Sequence, residues 1–338
     1  MNQEFNTVIK ERGINMSIQS LAISGLMTLN LHSLNNEGAE GNYMQTRQVQ
    51  IVDRNGNMSD VNAISGDMFK HIQGEHLYHL AKEGGLPLCS GCERFDANRI
   101  VVDQEFAAQY TKDTLDSEIL SGAIQRCTLD DTQGILITSD IGKKRAIGRK
   151  SVLEFGWIVG RPETTRTDSY FHVKYAAEGR GKGAGEKTGA GNTGQNIFHR
   201  PASSGQYAVV LNLDLYRVGY NDILMQYALN AEERSQRIKE LLKSVLFTFL
   251  QPNGAMRNTQ NPHVLDFSGV MTLSSSTFPA PMVSALNGDY LEEIEKVART
   301  LNVLKADSIQ LLSFSSIGDF AEKLGGIIQE VNPAGMGM

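Results

Sequence analysis

The stretch AISGDMFKH, residues 63–71, joins the end of an apolar segment to the start of a helix. Ser65 is a favourable N-cap, and Asp67 lies in the first turn, where the helix dipole stabilises an acid. An apolar stripe with helical spacing follows and ends at Gly84. Free amides at such a helix start bind anions, and Lys70 would add a cation one turn later. The alternative is a capped helix with a solvated lysine.

Strands and further helices are predicted on both sides of this junction. Residues 18–31 predict a strand that runs into the polar loop HSLNNEGAEGN. Residues 43–52 alternate polar and apolar side chains, and Asn55-Gly56 turns the chain back along residues 58–64. We expect further strands at 134–139, 151–159, 207–218, 264–273 and 309–314, and helices at 231–249, 290–304 and 319–331. This order of elements predicts an α+β fold on an antiparallel sheet.

Composition limits the class of protein. The 338 residues are 41% hydrophobic, which is enough for one substantial core, and three cysteines are too few for a disulfide scaffold. No apolar run approaches the roughly 18 residues that a membrane helix needs, and the first residues have no signal-peptide core. We therefore expect a cytoplasmic protein without membrane contact, in which residues 1–15 form a polar extension.

Positive charge is concentrated in GKKRAIGRK, residues 142–150, although the formal net charge is −6. Several cations acting together bind a nucleic-acid backbone through counterion release, whereas the alternative is a solvated loop. The glycine-rich residues 176–194 predict a mobile loop. Glu186 stands where a phosphate loop needs glycine before Lys-Thr, which excludes a nucleoside triphosphatase of that type.

The cysteines suggest a metal site. Cys89 and Cys92 form a Cys-x-x-Cys pair, and Cys127 follows. One histidine of α-helical residues 65–83 (His71, His76 or His79) would complete a three-cysteine, one-histidine zinc site. Unliganded thiols are the alternative, because a second Cys-x-x-Cys pair is missing.

Motifs for hydrolysis are absent from the sequence. It contains no Gly-x-Ser-x-Gly elbow and no His-Glu-x-x-His helix. We interpret Phe155, Trp157, Tyr170 and Phe171 as core or strand residues and not as surfaces on which bases stack.

Several segments together resemble one family. They include ISGLMTLNLHSLNNEGAEGN, VNAISGDMFKHI, GRKSVLEFGWIVGRPE and GAMRNTQNPHVLDFSGVM, which occur in family order and, with their neighbours, cover most of residues 18–295. The chain resembles the CRISPR-associated autoregulators of the DevR type, the backbone subunits of Cascade complexes. These proteins belong to the wider repeat-associated mysterious protein superfamily.

The resemblance implies a fold and a function. The fold would be a modified RNA-recognition-motif (ferredoxin-like) palm over residues 16–338, with a finger region at roughly 84–130 and a thumb hairpin at 165–206. Copies of the chain would stack along CRISPR RNA (crRNA) in a helical filament beside other Cascade subunits. Each copy would hold the phosphate backbone and leave the guide bases free to pair with target DNA. No cofactor is required, although a structural zinc ion would suit the cysteines.

The resemblance also implies RNA-binding positions. They lie in the loop after the first strand, at the helix start, in the basic run, in the thumb return and in GAMRNTQ: Asn35, Asn36, Asn42, Ser65, Gly66, Lys70, His71, Lys143, Lys144, Arg145, Arg149, Lys150, Arg200, Met256, Arg257 and Asn258. Met256 would wedge between bases.

Catalysis is not expected from the resemblance. Some superfamily relatives cut target RNA with an aspartate in the loop after the first strand. The present loop has Glu37 and Glu40 but no aspartate. We therefore expect no enzyme activity, and the alternative is a metal-assisted ribonuclease of the same superfamily.

Overall fold

One largely antiparallel sheet forms the centre of the molecule. The computed structural model describes residues 18–138, 146–175, 195–254 and 256–331. Strand β1 (Ser20–His32) lies between β11 (Gln195–Leu213) and β14 (His263–Ser274) and pairs antiparallel with both. On its other side β11 pairs antiparallel with β8 (Leu153–Phe155) and β9 (Ile158–Gly160).

The connections between these strands identify the topology. Helix α1 (Gly66–Glu83) lies in the chain between β1 and β8, and helix α5 (Ala231–Leu250) lies between β11 and β14. The resulting order of strand, helix, two strands, helix and strand, with β1 and β11 central in the sheet, is the ferredoxin-like arrangement. The predicted α+β fold class is confirmed.

The remaining elements surround this centre. The other strands are β2 (Asn36–Glu40), β3 (Tyr43–Thr46), β4 (Gln48–Val52), β5 (Met58–Ile64), β6 (Ile135–Ile137), β7 (Ile147–Arg149), β10 (Arg166–Tyr175), β12 (Tyr220–Asn221), β13 (Gln226–Tyr227) and β15 (Ile309–Phe314). The other α-helices are α2 (Gln104–Ala108), α3 (Asp116–Arg126), α4 (Thr128–Gln133), α6 (Tyr290–Leu304) and α7 (Ile317–Glu330). Short 3₁₀ turns occupy Cys92–Arg94, Arg99–Val102 and Leu215–Arg217.

Both faces of the central sheet are covered. Alternate residues such as Met27, Val209 and Met271 face a large core that also contains buried side chains of α1, α5 and α7. The intervening residues, such as Ala208 and Val270, face a smaller cluster built on α6. The sheet therefore has helices on both sides and does not leave one face open.

The segment between α1 and β6 is largely helical and shares the main core. Buried side chains from it, among them Ile100, Phe106 and Ile124, belong to the same apolar cluster as the sheet. Residues 86–98 contain only one short 3₁₀ turn. The insertion is thus packed onto the central fold.

A long hairpin extends from the sheet. All of β10 pairs with the first half of β11, from Arg166 opposite Ser204 to Tyr175 opposite Gln195. Gly205 then has a φ of +154°, and a Cβ there would lie 2.6 Å from Thr165 Cα. Glycine allows β11 to leave the hairpin at this point and enter the central sheet.

Some element boundaries differ from the sequence prediction. The expected loop at 32–42 contains β2, which forms a small hairpin with β3 through a turn at Gly41, where φ is +59°. The expected strand at 151–159 is two short strands, and the expected strand at 207–218 ends at Leu213 and begins much earlier. Within the described residues, no helix is long and apolar enough to cross a membrane.

Candidate nucleic-acid interface

One pocket brings together four of the residues predicted from sequence. It has a volume of about 320 Å³ and lies between Arg200 on β11 and the loop before β14. Met256, Arg257 and Asn258 line it with Arg200. Arg200 is far from Arg257 in the chain, so the fold is what places two arginines at one pocket.

Both arginines of this pocket have unused hydrogen-bond donors. Arg200 Nη1 donates to Thr259 Oγ1 at 2.9 Å, and its guanidinium lies over the Phe198 ring at 4.8 Å. Arg200 Nε and Arg257 Nη1 are buried and have no hydrogen-bond partner. A buried donor without an acceptor costs about 1–3 kcal/mol, more when it is charged. Because both arginines line the pocket, an anion there would lie beside two guanidinium groups.

The loop after β1 connects this pocket to the start of α1. Leu34 is buried against Gly254, where a Cβ would lie 2.4 Å from Leu34 Cδ2. The next side chain, Asn35, accepts a hydrogen bond from the Ser65 amide through its Oδ1 at 2.7 Å. Asn35 is itself buried. It therefore positions the helix start, whereas the sequence analysis expected a surface contact.

The two other asparagines lie in the small hairpin. Asn36 is half-buried; it accepts from Ser33 Oγ at 2.7 Å. Asn42 is exposed at the turn, and its carbonyl accepts from the His199 amide at 2.8 Å. Of the three predicted asparagines in the loop after β1, Asn42 is the exposed one.

The start of α1 matches the sequence prediction as local structure. Ser65 is the N-cap, and its hydroxyl accepts from the Met68 amide at 3.2 Å. A Cβ on Gly66 would lie 2.6 Å from the Phe155 carbonyl oxygen. Gly66 is therefore required for α1 to approach β8 closely, which is a packing role.

A second group of cations lies beyond this helix start. Lys70 is half-buried, and burial lowers its pKa, with the nearby charge of Arg99 adding to the effect. Lys150 is exposed and pairs with Glu154 at 2.7 Å, and Glu154 also interacts with Lys70. His71 is exposed, with its ring 5.7 Å from that of Phe95. Lys143, Lys144 and Arg145 lie outside the described residues.

Arg149 corrects the sequence prediction. Its side chain is 1% exposed, and all five of its N–H groups have acceptors. It binds Asp131 at 2.8 Å and Asp222 at 2.9 Å and donates to the carbonyls of Asp131, Arg217 and Tyr220. Arg149 therefore stabilises the fold and has no donor left for phosphate, unlike its neighbour Lys150.

Exposed aromatic rings are a feature that the sequence analysis missed. Trp157 is 44% exposed and lies 5.4 Å from the Arg47 guanidinium, and Phe171 on β10 is 58% exposed. Tyr43 stacks on His199 with ring centroids 4.1 Å apart. Phe155 alone of the four aromatics assigned to core or strand packs against the core. Alternation along β10 did not distinguish the faces, because both sides of the hairpin are solvated.

The three cysteines come together with a carboxylate. One ligand atom from each of Cys89, Cys92, Cys127 and Asp130 lies within 4.8 Å of the others, and all four residues are buried. Hydrogen bonds from Cys127 and Cys92 lower the pKa of Cys89 to about 5, while burial raises the pKa of Cys127 and of Asp130. The fourth member is Asp130, so the expectation of a histidine was wrong for the residues that the structure describes. His76, for example, bonds the Gln251 carbonyl instead.

The comparison with protein families is decisive for identity. The profile described as "CRISPR-associated negative auto-regulator DevR/Csa2" matches residues 23–295, which is most of the chain. The chain belongs to the DevR family. The resemblance found in the sequence is confirmed. No curated protein matches the chain.

Two of the similar chains come from solved CRISPR surveillance complexes. A chain of a "CRISPR RNA-guided surveillance complex, pre-nicking" is 9% identical, covers 92% of this chain and is itself covered completely, with a TM-score of 0.51. A chain of a "CRISPR RNA-guided surveillance complex" is 11% identical, with 86% and 87% coverage and a TM-score of 0.40. Because the identities are so low, the comparison with the first chain, whose TM-score is 0.51, establishes a shared fold and nothing more for this member of the DevR family.

Proposed function

We propose that the chain is a backbone subunit of a CRISPR Cascade effector complex. It oligomerises along crRNA with neighbouring copies and other subunits, binds the phosphate backbone and presents the bases to target DNA. Membership of the DevR family and a fold shared with a surveillance-complex chain support this proposal. In this role the protein is not an enzyme, because the guide reads sequence and the protein holds the guide's shape.

The observation that carries the proposal is the pocket around Arg200 and Arg257. Each guanidinium has a buried nitrogen without an acceptor, and Arg200 is held in place by Thr259 and Phe198. A guanidinium is suited to phosphate because its planar donors match two phosphate oxygens. Met256 at the same pocket supplies an apolar surface for a base or ribose.

The second group of cations extends this argument. Lys70 lies near Arg99, and its pKa is lowered because burial and that like charge disfavour the ammonium form. The negative charge of a phosphate between them would offset both effects, because it favours the ammonium form. Lys150, which shares Glu154 with Lys70, provides an exposed cation at the same group.

RNA binding by the full-length chain tests the proposal. Arg200→Gln and Arg257→Gln remove charge but keep hydrogen-bonding ability, and Arg299→Gln, on the exposed face of α6, is the matched control. Fluorescence anisotropy with labelled single-stranded guide RNA should be measured over a range of salt concentrations. The double variant at Arg200 and Arg257 should lower the slope of log affinity against log salt by about 1.4, since each single-strand phosphate contact contributes about 0.7.

The control decides how the result is interpreted. Arg299→Gln should leave both affinity and salt slope close to those of the unaltered protein. Equal slopes for the double variant and the control would remove the pocket from the RNA interface. Absence of any affinity for guide RNA at low salt would overturn the proposal as a whole.

A metal-assisted ribonuclease is the rival function. Glu37, Glu40 and Asp168 line one open depression of about 740 Å³ beside the hairpin β10–β11. Glu37, however, pairs with Arg47 at 2.7 Å, so a metal ion would have to compete with that arginine. Complementary RNA incubated with the guide-loaded assembly and Mg²⁺ separates the two functions. Periodic cleavage that is lost in Glu37→Ala would favour the ribonuclease, and intact RNA would favour the scaffold.

A further inference from the structure

The cluster of Cys89, Cys92, Cys127 and Asp130 has the dimensions of a tetrahedral metal site. With metal–sulfur bonds of about 2.3 Å and metal–oxygen bonds of about 2.0–2.2 Å, a tetrahedron has S···S edges near 3.8 Å and S···O edges near 3.5 Å. Asp130 Oδ2 lies 3.3 Å from Cys89 Sγ and 3.9 Å from Cys92 Sγ. All four ligand atoms lie within 4.8 Å of one another, so they reach tetrahedral spacing after a modest contraction of the cluster.

The backbone around the cluster supports thiolates. The Cys92 amide points to Cys89 Sγ at 3.4 Å, and the Asp130 amide points to Cys127 Sγ at 3.5 Å. Each N–H···S contact spans three residues, so Cys-x-x-Cys and Cys-x-x-Asp adopt the same local form. Two such turns, from opposite ends of the insertion, supply two ligands each.

The carboxylate of Asp130 supports a metal site independently of these distances. Its Oδ1 is buried and has no hydrogen-bond partner. Within the described ranges no cation lies at ion-pair distance from Asp130, whereas the adjacent Asp131 binds Arg149 at 2.8 Å and Arg237 at 3.0 Å. A buried carboxylate that is ionised must be paired or coordinate a metal, and otherwise it takes up a proton. Asp131 is paired with two arginines, whereas the thiols around Asp130 indicate that Asp130 coordinates a metal.

We propose that Cys89, Cys92, Cys127 and Asp130 bind one structural Zn²⁺ ion. Three thiolates and a carboxylate suit zinc, which has no geometric preference of its own and is borderline soft. Four protein ligands leave no position for water or substrate, so the ion is structural and not catalytic. The ion links the turn at Cys89–Cys92 to the junction of α3 and α4. This role is independent of RNA binding.

A disulfide between Cys89 and Cys92 is the competing use of the thiols. It would join two of the three sulfurs, and it would leave Cys127 and the unpaired oxygen of Asp130 without a role. Intact-mass measurement of the alkylated, denatured chain distinguishes the two states, because a disulfide protects two cysteines from alkylation.

The test uses the full chain purified with its RNA and without chelators. Metal analysis should find about one zinc per chain, and replacement by Co²⁺ should give the intense visible absorption of a tetrahedral thiolate site. Asp130→Asn should retain zinc about tenfold less well against a chelator, since even residues outside the ligand shell change affinity by 10–100-fold. Asp113→Asn, the same change at an exposed position, should retain zinc fully.

A second variant keeps the test valid if Asp130→Asn fails to fold. Asp130→Cys makes a four-cysteine site and should keep zinc, with its Co²⁺ spectrum shifted by the fourth thiolate. Zinc retention by Asp130→Asn equal to that of Asp113→Asn would eliminate Asp130 as a ligand. A chain that takes up neither zinc nor Co²⁺ after reduction, or that contains a Cys89–Cys92 disulfide as isolated, would overturn the proposal. RNA affinity, measured in parallel, reports on the proposed function separately.

Discussion

Replacing Arg149 by methionine should destabilise the protein strongly without acting on RNA directly. The substitution keeps an unbranched apolar stem but removes five buried hydrogen bonds, two of them to carboxylates. Asp131 keeps Arg237 and the Gly219 amide, so its charge stays partly compensated. The carbonyls of Arg217 and Tyr220 lose a donor that no other described side chain is placed to replace.

The expected magnitude follows from burial. Removing one partner of a buried ion pair costs about 3–5 kcal/mol, while the contact with the partly exposed Asp222 adds at most about 1 kcal/mol. Domains are stable by only about 5–15 kcal/mol, so Arg149→Met should lose about a fifth of the stability or more. Lys150→Met, next in the chain, breaks an exposed pair with Glu154 and should change stability by less than about 1 kcal/mol.

Urea unfolding measures this difference. Trp157 is the single tryptophan and is partly exposed, so circular dichroism should accompany its fluorescence. The midpoint for Arg149→Met should fall well below that of the unaltered chain, and that of Lys150→Met should not. If Arg149→Met unfolded at the same midpoint but lost RNA affinity, the interpretation of Arg149 as an internal structural residue would be refuted.

Three further stability predictions concern buried positions near the interface. Burial lowers the pKa of His32 from 6.5 to about 4, so the unfolded chain binds the proton first and stability should fall by up to about 3 kcal/mol as the pH drops through that window. In His32→Asn, unfolding free energies at the two ends of the window should show a smaller difference. Gly66→Ala puts a Cβ 2.6 Å from the Phe155 carbonyl oxygen and should cost about 1–3 kcal/mol in thermal unfolding; no loss would mean that α1 has room to shift. Tyr207→Phe leaves Asn62 Oδ1 without its 2.8 Å donor and should cost about 1–3 kcal/mol by denaturant unfolding, with an unchanged midpoint as the contrary result.

The α+β fold could be predicted because its local signals agree with each other. Ser65, the following apolar stripe and the glycines after it fix α1, and the apolar side chains of β14 and β15 predict strands that pack in the core. Polar hairpins gave no such signal. β2 has the sequence NEGAE and no apolar side chain larger than alanine, because it contacts solvent on both faces.

Individual site residues were harder to predict, because their neighbours in space are not adjacent to them in the sequence. Arg149 belongs to the same basic run as Lys150, and only the position of Asp131 and Asp222 separates a buried arginine from an exposed lysine. One signal was present: Arg149 lies two residues after the buried Ile147 on β7 and therefore on the same face. Asp130 also had a signal, because its spacing from Cys127 equals that of Cys92 from Cys89.

The length of β11 gives the molecule a gradient of local stability along one continuous strand. Its end at Leu211–Leu213 is bonded on both sides, to β1 and β8, whereas its first residues are bonded chiefly to β10 in the outlying hairpin. Amide hydrogens near Leu211 should therefore exchange with solvent deuterium only when the whole sheet opens, and those near His199 through much smaller fluctuations. A single strand thus joins the slowest-opening part of the protein to one of the fastest, with Gly205 at the boundary.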